Sequence, residues 1–553
     1  MKPFCNSTPL LALSTLVFLS VPASAASTLG EKEAKKSAEI TITQRNLRSY
    51  LTFIASDELE GRDTPSRGLD TAARYIATFL DRWGFTPKGD NGTYFQKIML
   101  RTVSLDGDKS SATIAGKPLR FRDDFLLNGA SENGAAIAAA TPLVYVGHGW
   151  LVKSKGVDAY TGVDVRGKIV VIASAGFPPP GVTEQELTDA GAGTDWMIPE
   201  AYATKSGAVG IIRLPNSANQ AAWAKTAATV KSLRRMGTEP APIDGTTDSG
   251  LPMITLSPAA AAALLSGEKI SLEAALVAAR TSPVAGAFVF GEGKTATFTV
   301  GMQVETATTQ NVVAVWEGSD ARLKNQYVAL GAHYDHIGVR ATPDATGDRI
   351  NNGADDDGSG TVALLSMAEA LGTNPENRPK RSLLFVWHCG EEKGLWGSEH
   401  FVQNPTVPLA DIVTQLNIDM IGRSKADAND TSARNRSLSD PNTIYVIGSR
   451  MLSTELGNVV DKVNADYTKL SYDFRYDDPN DPNRFYYRSD HYSYAQRGIP
   501  IAFFFDGVHA DYHRPSDEVD KIDFAKYERV TRTIFLTAVA LANREKAPAL
   551  KGK

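Results

Sequence analysis

Short apolar runs separated by stretches of helical spacing dominate the chain from residue 284 onward. The last stretch, 524–543, predicts a long amphipathic helix. The apolar runs predict strands at 298–305, 311–317, 327–333, 382–389, 413–418, 443–448 and 500–505. Because strands that alternate with helices usually form parallel sheets, this half is predicted to be an α/β domain with a mostly parallel sheet covered on both faces.

The first half of the chain has a different pattern. Helical spacing at 42–53 and 69–83 predicts two helices, and the polar segment 56–68 between them is typical of a connecting loop. Residues 26–38 are small and charged and predict a loose leader. Two strands of a hairpin region are predicted at 95–100 and 112–125.

Between residues 131 and 283 the residue composition and the length of the predicted strands change again. Ala, Gly and Val dominate, and the predicted strands are short, at 143–147, 168–174, 209–213 and 253–256. A chain of 553 residues exceeds what one hydrophobic core usually holds. The change of pattern therefore predicts an inserted module within a larger domain.

The N-terminus has the pattern of a secretory signal peptide. Lys2 gives a positive start, 9–21 is apolar, and Ala23, Ser24 and Ala25 form a small-residue cleavage pattern. The apolar part is too short for a spanning helix. Removal of 1–25 would also remove Cys5, so that only Cys389 remains. We therefore expect an exported bacterial protein, periplasmic or extracellular, without a membrane anchor.

Composition changes this picture little. The chain is 42% hydrophobic and 22% charged with a net charge of −5, which is ordinary for a globular protein. It has no basic stripe of the kind that binds nucleic acid.

Polar residues follow several of the predicted strands, where the working residues of parallel sheets gather. These residues are His333 and Asp335, the run Asp355, Asp356 and Asp357, the pair Glu391 and Glu392, Asp419, and His513. Imidazole and carboxylate groups are good ligands for divalent cations. Each position alone is weak evidence, but their joint placement at strand ends predicts a metal site.

Four segments carry a resemblance to a known family. They are GAHYDHIG with NNGADDDGSG, WHCGEEKGLWGS, QLNIDMIGR and DYHRPSDE. With them the chain resembles the dizinc aminopeptidases, a family that includes bacterial leucyl-type aminopeptidases and, more distantly, glutamate carboxypeptidase and the transferrin receptor. The resemblance implies a three-layer α/β/α sandwich on a mixed, mostly parallel sheet.

The resemblance also implies the domain organisation. The segments PLVYVGHG, VRGKIVVIASAG, KSGAVGIIRLPN and LPMITLSPAAAAALL resemble a protease-associated domain, a small β-rich module. The implied organisation is a signal peptide at 1–25, an N-terminal part of the peptidase domain at 26–130, a protease-associated insertion at 131–283 and the catalytic zinc peptidase domain at 284–546.

Motif by motif, the family assigns roles to these residues. Two zinc ions per chain are implied, with His333 and Asp419 on one, Glu392 and His513 on the other, and Asp356 bridging both. The peptide bond between Asp356 and Asp357 is cis in relatives.

Three further residues have catalytic roles in the family pattern. Glu391 matches the general base, and Asp335 matches the aspartate that orients His333. Tyr486 falls where some relatives place a tyrosine that stabilises an oxyanion, although it also fits an ordinary loop aromatic. His509 is a rival of His513, and His336 is expected near the site or at the surface, outside the ligand set.

The implied function is that of an exported metallo-aminopeptidase. It would hydrolyse the first bond of peptides with a free N-terminus, using a water held between two zincs and a glutamate general base. One alternative is a carboxypeptidase, because Arg423 and Arg488 could bind the carboxylate of a substrate. The others are a single-zinc glutaminyl cyclase and a receptor-like binding protein without catalysis. The preferred residue and the oligomeric state stay open.

Overall fold

The computed structural model divides the chain into two compact units. The first comprises residues up to Lys97 together with Gln310–Lys553, and the second comprises Ile98–Thr309. The structure describes residues 27–127, 135–173, 178–216, 222–227, 234–239, 251–284, 286–425, 435, 437–478 and 480–552. The predicted signal peptide at 1–25 lies outside the described residues.

One mixed sheet runs through the first unit. Its strands follow one another in space as Thr86–Pro87, the last part of Thr295–Trp316, Ser382–His388, Tyr327–His333, Ile412–Ile418, Ile501–Phe505, Thr443–Ile447 and Ser471–Asp473. The strands from Ser382–His388 to Ile501–Phe505 are parallel, and antiparallel neighbours flank them. The predicted mixed, mostly parallel sheet is confirmed.

Helices cover both faces of this sheet. On one face lie Glu31–Thr41, Gln44–Ile54, Arg67–Arg82, Gly358–Gly372, Thr454–Asp466 and Phe524–Asn543. On the other face Trp396–Gln403 and His491–Gln496 pack through Phe401 and Tyr494 against inward-facing residues such as Val313 and Leu384. Among the described helices, none is both long and apolar enough to cross a bilayer.

The expectation of a loose leader at 26–38 is wrong. Residues Glu31–Thr41 form a helix. Its small residues recur at helical spacing, so that Ala34, Ala38 and Thr41 are buried on one side. The hydroxyl of Ser37 donates a hydrogen bond to the carbonyl oxygen of Ala370 in a neighbouring helix.

The second unit contains its own sheet and core. Parallel strands Ala135–Tyr145, Ile169–Ala173, Gly210–Leu214 and Met253–Leu256 are flanked by antiparallel Phe288–Val289 and Phe125–Leu127. Helices in the described part of this unit include Glu184–Asp189, Pro199–Lys205, Pro258–Leu265 and Leu272–Thr281. Apolar side chains pack on both faces of the sheet.

The second unit is larger than the predicted insertion at 131–283. The reason is strand pairing: Arg234–Thr238 pairs with 100–104, and Ala135–Pro142 pairs with the start of Thr295–Trp316. The strand predicted at 95–100 and the start of the one predicted at 112–125 lie in one long strand, Phe95–Ile114, and two short strands follow at Lys117–Leu119 and Phe125–Leu127. The identity of this unit as a protease-associated domain stays a prediction.

Candidate metal centre

The sheet brings the candidate residues to one edge. His333 ends a strand that lies between Ser382–His388 and Ile412–Ile418, and the latter pairs in parallel with Ile501–Phe505. The loops after these four strands carry the aspartate run, the glutamate pair, Asp419 and His513. Residues far apart in sequence therefore meet at the carboxyl ends of parallel strands, as the sequence predicts.

The three adjacent aspartates are all buried and point to three different partners. Asp355 accepts a hydrogen bond from the amide of Gly422 at 2.7 Å and faces His509 at 3.3 Å. Asp357 accepts from the amides of Gly360 at 2.8 Å and of His333 at 3.2 Å. Asp356 alone faces the candidate ligands. Local hydrogen bonding thus separates carboxylates that would otherwise repel one another.

The peptide bond between Asp356 and Asp357 is cis, as the resemblance implies.

One group of possible metal ligands consists of His333, Asp356 and Asp419. The Nε2 atom of His333 lies 3.3 Å from Oδ1 of Asp356 and 3.7 Å from Oδ1 of Asp419. The Nδ1 atom of His333 lies 3.1 Å from the carbonyl oxygen of Asp335, which holds the Nδ1–H tautomer and leaves the Nε2 lone pair facing the carboxylates.

A second group shares Asp356 and contains Glu392 with two histidines. The Nε2 atom of His513 lies 3.1 Å from Oδ2 of Asp356 and 3.0 Å from Oε2 of Glu392. The Nδ1 atom of His336 lies 2.8 Å from Oε1 of Glu392 and 3.6 Å from Oδ2 of Asp356. The five ligands predicted from the sequence are brought together, and His336, expected outside the ligand set, lies among them.

The electrostatics of this cluster favour a cation. Burial raises the pKa of Asp419 and, with neighbouring carboxylates, raises that of Glu391 well above its usual value. Burial alone would lower the pKa of His333, but Asp419 and Glu391 hold it well above the ordinary range. A divalent cation among these groups would neutralise the charge that otherwise recruits protons.

The donor atoms also fit a metal ion. Several are buried without a hydrogen bond of regular geometry, and these are Oδ2 of Asp356, Oε1 of Glu392, Nδ1 of His336 and Nε2 of His513. Buried polar atoms are normally satisfied, so atoms that face one another without bonding indicate a missing partner between them. Imidazole nitrogen and carboxylate oxygen are the donors that zinc takes in hydrolytic sites.

Glu391 is near the cluster and belongs to neither group of ligands. Its Oε2 lies 3.9 Å from Nε2 of His333, and it lines a cavity together with Asp356 and Asp419. Its backbone amide donates to Oδ1 of Asp335 at 3.2 Å. This is a suitable position for a carboxylate that exchanges protons next to metal ligands.

Asp335 is buried but does not use its carboxylate as the sequence suggested. Its Oδ1 lies 3.7 Å from Nδ1 of His333, whereas its backbone oxygen lies only 3.1 Å from that nitrogen and accepts the hydrogen bond. The carboxylate accepts instead from the hydroxyl of Thr64 at 3.2 Å and from the amide of Glu391. Asp335 thus connects the His333 loop to the Glu391 loop.

Tyr486 is not brought to the cluster. Its ring packs against Tyr487, His491 and Tyr492, and it is absent from the lining of the cavity beside Glu391. Tyr512 lines that cavity instead, and its ring stacks on His513 with centroids 3.8 Å apart.

Arg62 is a residue that sequence reasoning missed. It lies in the polar segment expected to be a connector, yet its side chain is fully buried. Its guanidinium donates to the carbonyl oxygens of Tyr334 at 2.9 Å, Asn352 at 2.7 Å and Gly353 at 3.0 Å. It therefore connects the loop after His333 to the loop before Asp356. A buried arginine cannot be recognised from hydrophobicity. Only the preceding glycine indicated an unusual backbone conformation at this point, where Gly61 and Arg62 both have a positive φ.

His509, the rival of His513, contacts Asp355 and lies outside both groups of ligands. The preference for His513 over His509 therefore agrees with the distances.

The fold and these clusters define a class of α/β protein whose strand-end histidines and carboxylates are arranged to hold divalent cations. Residues 311–538 match the model of peptidase family M28. This segment, which carries all the candidate metal ligands, is similar to that family.

Individual curated proteins are similar to part of the chain. The chain is 30% identical over 223 residues to a probable leucine aminopeptidase of Trichophyton verrucosum, covering 39% of this chain and 54% of that protein. It is 29% identical over 238 residues to leupeptin-inactivating enzyme 1 of Streptomyces exfoliatus, covering 42% and 44%.

Among solved structures, an aminopeptidase from Aneurinibacillus sp. strain AM-1 is 18% identical, with 95% of this chain and 98% of that chain covered and a TM-score of 0.47. The chain spans about half the length of the curated relatives it matches.

Proposed function

We propose that this chain is an exported, zinc-dependent aminopeptidase that removes the N-terminal residue of peptides. The observation that carries the proposal is the pair of ligand groups that share Asp356, with Glu391 beside them as a carboxylate outside the ligand set. The names of the relatives called leucine aminopeptidases support the same activity. The leader at 1–25 supports export.

His333, Asp356 and Asp419 would hold one zinc, and Asp356, Glu392 and His513 the other. Bound zinc polarises a carbonyl group and lowers the pKa of water toward about 7. Glu391 would take the proton from the attacking water and pass it to the departing amine, a step worth roughly 10² to 10⁴ in rate. The positive charge of the zinc ions would lower the raised pKa of Glu391 and so favour the carboxylate form that accepts the proton.

The cavity beside Glu391 supports a choice of substrate. Its lining combines the acidic groups Asp356, Glu391 and Asp419 with the apolar side chains Met420, Phe485, Phe503, Phe505 and Val508. The acidic side suits a free α-amino group, and the apolar side suits an uncharged side chain. Peptides with a free amine and an apolar first residue are therefore the proposed substrates.

A carboxypeptidase is the second candidate, because Arg488 also lines the cavity. Its guanidinium lies 5.2 Å from the ring centroid of Phe485 and could meet a substrate carboxylate. Arg423, the other arginine considered, is held by Asp511 at 2.8 Å and Asp517 at 3.6 Å. It is therefore a poor candidate for substrate binding.

The deciding assay compares a leucyl anilide that has a free amine with its N-acetylated form, alongside an N-acetylated peptide that has a free carboxylate. The proposal expects cleavage of the free-amine anilide only. Cleavage of the acetylated peptide at its C-terminal bond would favour the carboxypeptidase, and equal cleavage of both anilides would exclude the aminopeptidase.

The two adjacent glutamates provide a matched pair of variants. Glu391→Gln is expected to keep two zinc ions per chain and to lose about 10² to 10⁴ in kcat. Glu392→Gln is expected to lose zinc, measured by elemental analysis of the dialysed protein. Zinc loss in Glu391→Gln with zinc retained in Glu392→Gln would show that the roles are reversed.

A further inference from the structure

His336 occupies a position that no assigned role explains. Its side chain is fully buried, and neither ring nitrogen has a regular hydrogen bond among the described residues. Nevertheless its Nδ1 lies 2.8 Å from Oε1 of Glu392 and 3.6 Å from Oδ2 of Asp356. A buried imidazole that faces two carboxylates without a hydrogen bond of regular geometry to either resembles a metal ligand more than a packing residue.

We propose that His336 is a protein ligand of the second zinc, so that this ion is bound by His336, His513, Glu392 and Asp356. The inference rests on the proposed function, because it assumes that the site takes zinc. It adds one imidazole to the ligand set that the motifs predict.

The distances from each imidazole to the two carboxylates are close to those between donors of one zinc ion, and His336, Asp356 and Glu392 offer donor atoms within 4.8 Å of one another. Zinc–ligand bonds of about 2.0 to 2.2 Å place neighbouring donor atoms about 3.3 to 3.6 Å apart. The Nε2 atom of His513 lies 3.0 Å from Oε2 of Glu392 and 3.1 Å from Oδ2 of Asp356. The Nδ1 atom of His336 lies 2.8 Å from Oε1 of Glu392 and 3.6 Å from Oδ2 of Asp356, so that the two imidazoles face the two different oxygens of Glu392 and share Oδ2 of Asp356.

The surrounding backbone holds the imidazole in place. A Cβ atom on Gly353 would lie 2.6 Å from ring carbons of His336, so the ring packs directly on this glycine. The amide of His336 donates to the carbonyl oxygen of Arg62 at 3.2 Å. The rings of His336 and His513 meet edge to face with centroids 5.6 Å apart.

The two metal positions would then differ. The first has His333, Asp356 and Asp419, which leaves an open position beside Glu391. The second has four protein ligands, as closed zinc sites do. We therefore expect the second position to bind zinc more tightly, and the first to carry the exchangeable ligand.

A crystal structure of the zinc-loaded, full-length mature protein tests this directly. The expected distance from Nδ1 of His336 to the second zinc is about 2.0 to 2.1 Å. A distance beyond about 3 Å, with a hydrogen bond from His336 to Glu392, would overturn the inference. Zinc X-ray absorption provides an independent count, with three imidazoles expected per two zincs, whereas two would overturn it.

A variant comparison adds a thermodynamic readout. Dialysis against graded chelator is expected to remove zinc from the wild type in two separate steps. In His336→Gln the tighter step should weaken by at least about 10-fold. An unchanged two-step curve in a folded His336→Gln protein would contradict the inference, and if that variant does not fold, the measurements on the wild type decide.

His400→Gln is the matched control, because His400 is half-buried and lies outside both groups of ligands. The controls also separate the two proposals. A wild-type protein that binds no zinc would refute the proposed function, whereas two zincs with two imidazoles would refute only the role of His336.

Discussion

Replacing Arg62 by methionine perturbs the support of the metal centre without touching a ligand. Methionine fills much of the same volume but removes the charge and the donors. Arg62 donates to the carbonyl oxygens of Tyr334, Ile54, Asn352 and Gly353 at 2.9, 2.5, 2.7 and 3.0 Å. Burial lowers its pKa to about 10, so the guanidinium stays charged at neutral pH.

The magnitude follows from these contacts. Hydrogen bonds from a charged donor contribute about 1.5 to 3 kcal/mol each, but they are not additive within one side chain. Asp335, Asp356, Asp357 and Asp517 also lose a nearby positive charge. Removal of one member of a buried charge network typically costs about 3 to 5 kcal/mol. We expect Arg62→Met to lose about that much unfolding free energy, a large share of the usual total of about 5 to 15 kcal/mol.

Urea unfolding of the metal-free and zinc-loaded proteins measures this loss, and a zinc titration measures the effect on the site. Zinc affinity should fall by about 10- to 100-fold, because Tyr334 follows His333 and Gly353 lies three residues before Asp356. Arg67→Met is the control, because Arg67 is exposed and lies five residues later. Its unfolding free energy should stay within about 0.5 kcal/mol of the wild-type value. If the unfolding free energy of Arg62→Met lies within about 1 kcal/mol of the wild-type value and the variant binds zinc equally well, the role assigned to Arg62 is wrong.

Three further outcomes are expected. Asp517→Asn should weaken zinc binding about 10-fold in a titration, because the carboxylate of Asp517 accepts hydrogen bonds from the amides of Asp355 and Asp356 at 3.1 to 3.3 Å. Unchanged zinc binding would contradict this expectation. Chelation should lower Tm, and zinc at about 1,000 times its Kd should raise the unfolding free energy by about 4 kcal/mol; a Tm insensitive to zinc would argue against a metal site. Burial lowers the pKa of His491 to about 4, below its ordinary value, so the unfolded chain binds the proton first and stability is lost as pH falls from about 6.5 to 4. Between pH 7 and pH 5 the wild type should therefore lose about 2 kcal/mol more than His491→Gln in urea unfolding, and equal losses would contradict this assignment.

The sheet of the first unit was predictable because its central strands are continuous apolar runs. The strand predicted at 327–333 and the helix predicted at 524–543 have the same bounds in the structure. The candidate ligands followed from the rule that parallel strands deliver their carboxyl ends to one edge. The apolar runs and the polar residues that follow them therefore predicted both the sheet and the candidate metal ligands at its edge.

Other features depend on contacts that periodicity does not encode. The burial of Arg62 requires acceptors 272 and 290 residues away at Tyr334 and Asn352. Tyr486 follows Arg484, whose φ of 55° turns the chain in a direction that its sequence does not indicate. The burial of His336 beside Glu392 and Asp356 had no distinctive signal in the sequence, because a histidine three residues after His333 can be placed only when the loop conformation is known.

The ligands of the proposed centre are spread over about 180 positions, from His333 to His513. A nascent polypeptide therefore cannot assemble the centre before the segment that carries His513 has been synthesised. If the protein crosses the membrane unfolded, its metal must be acquired on the far side, and the supply of zinc in that compartment controls how much of the protein matures.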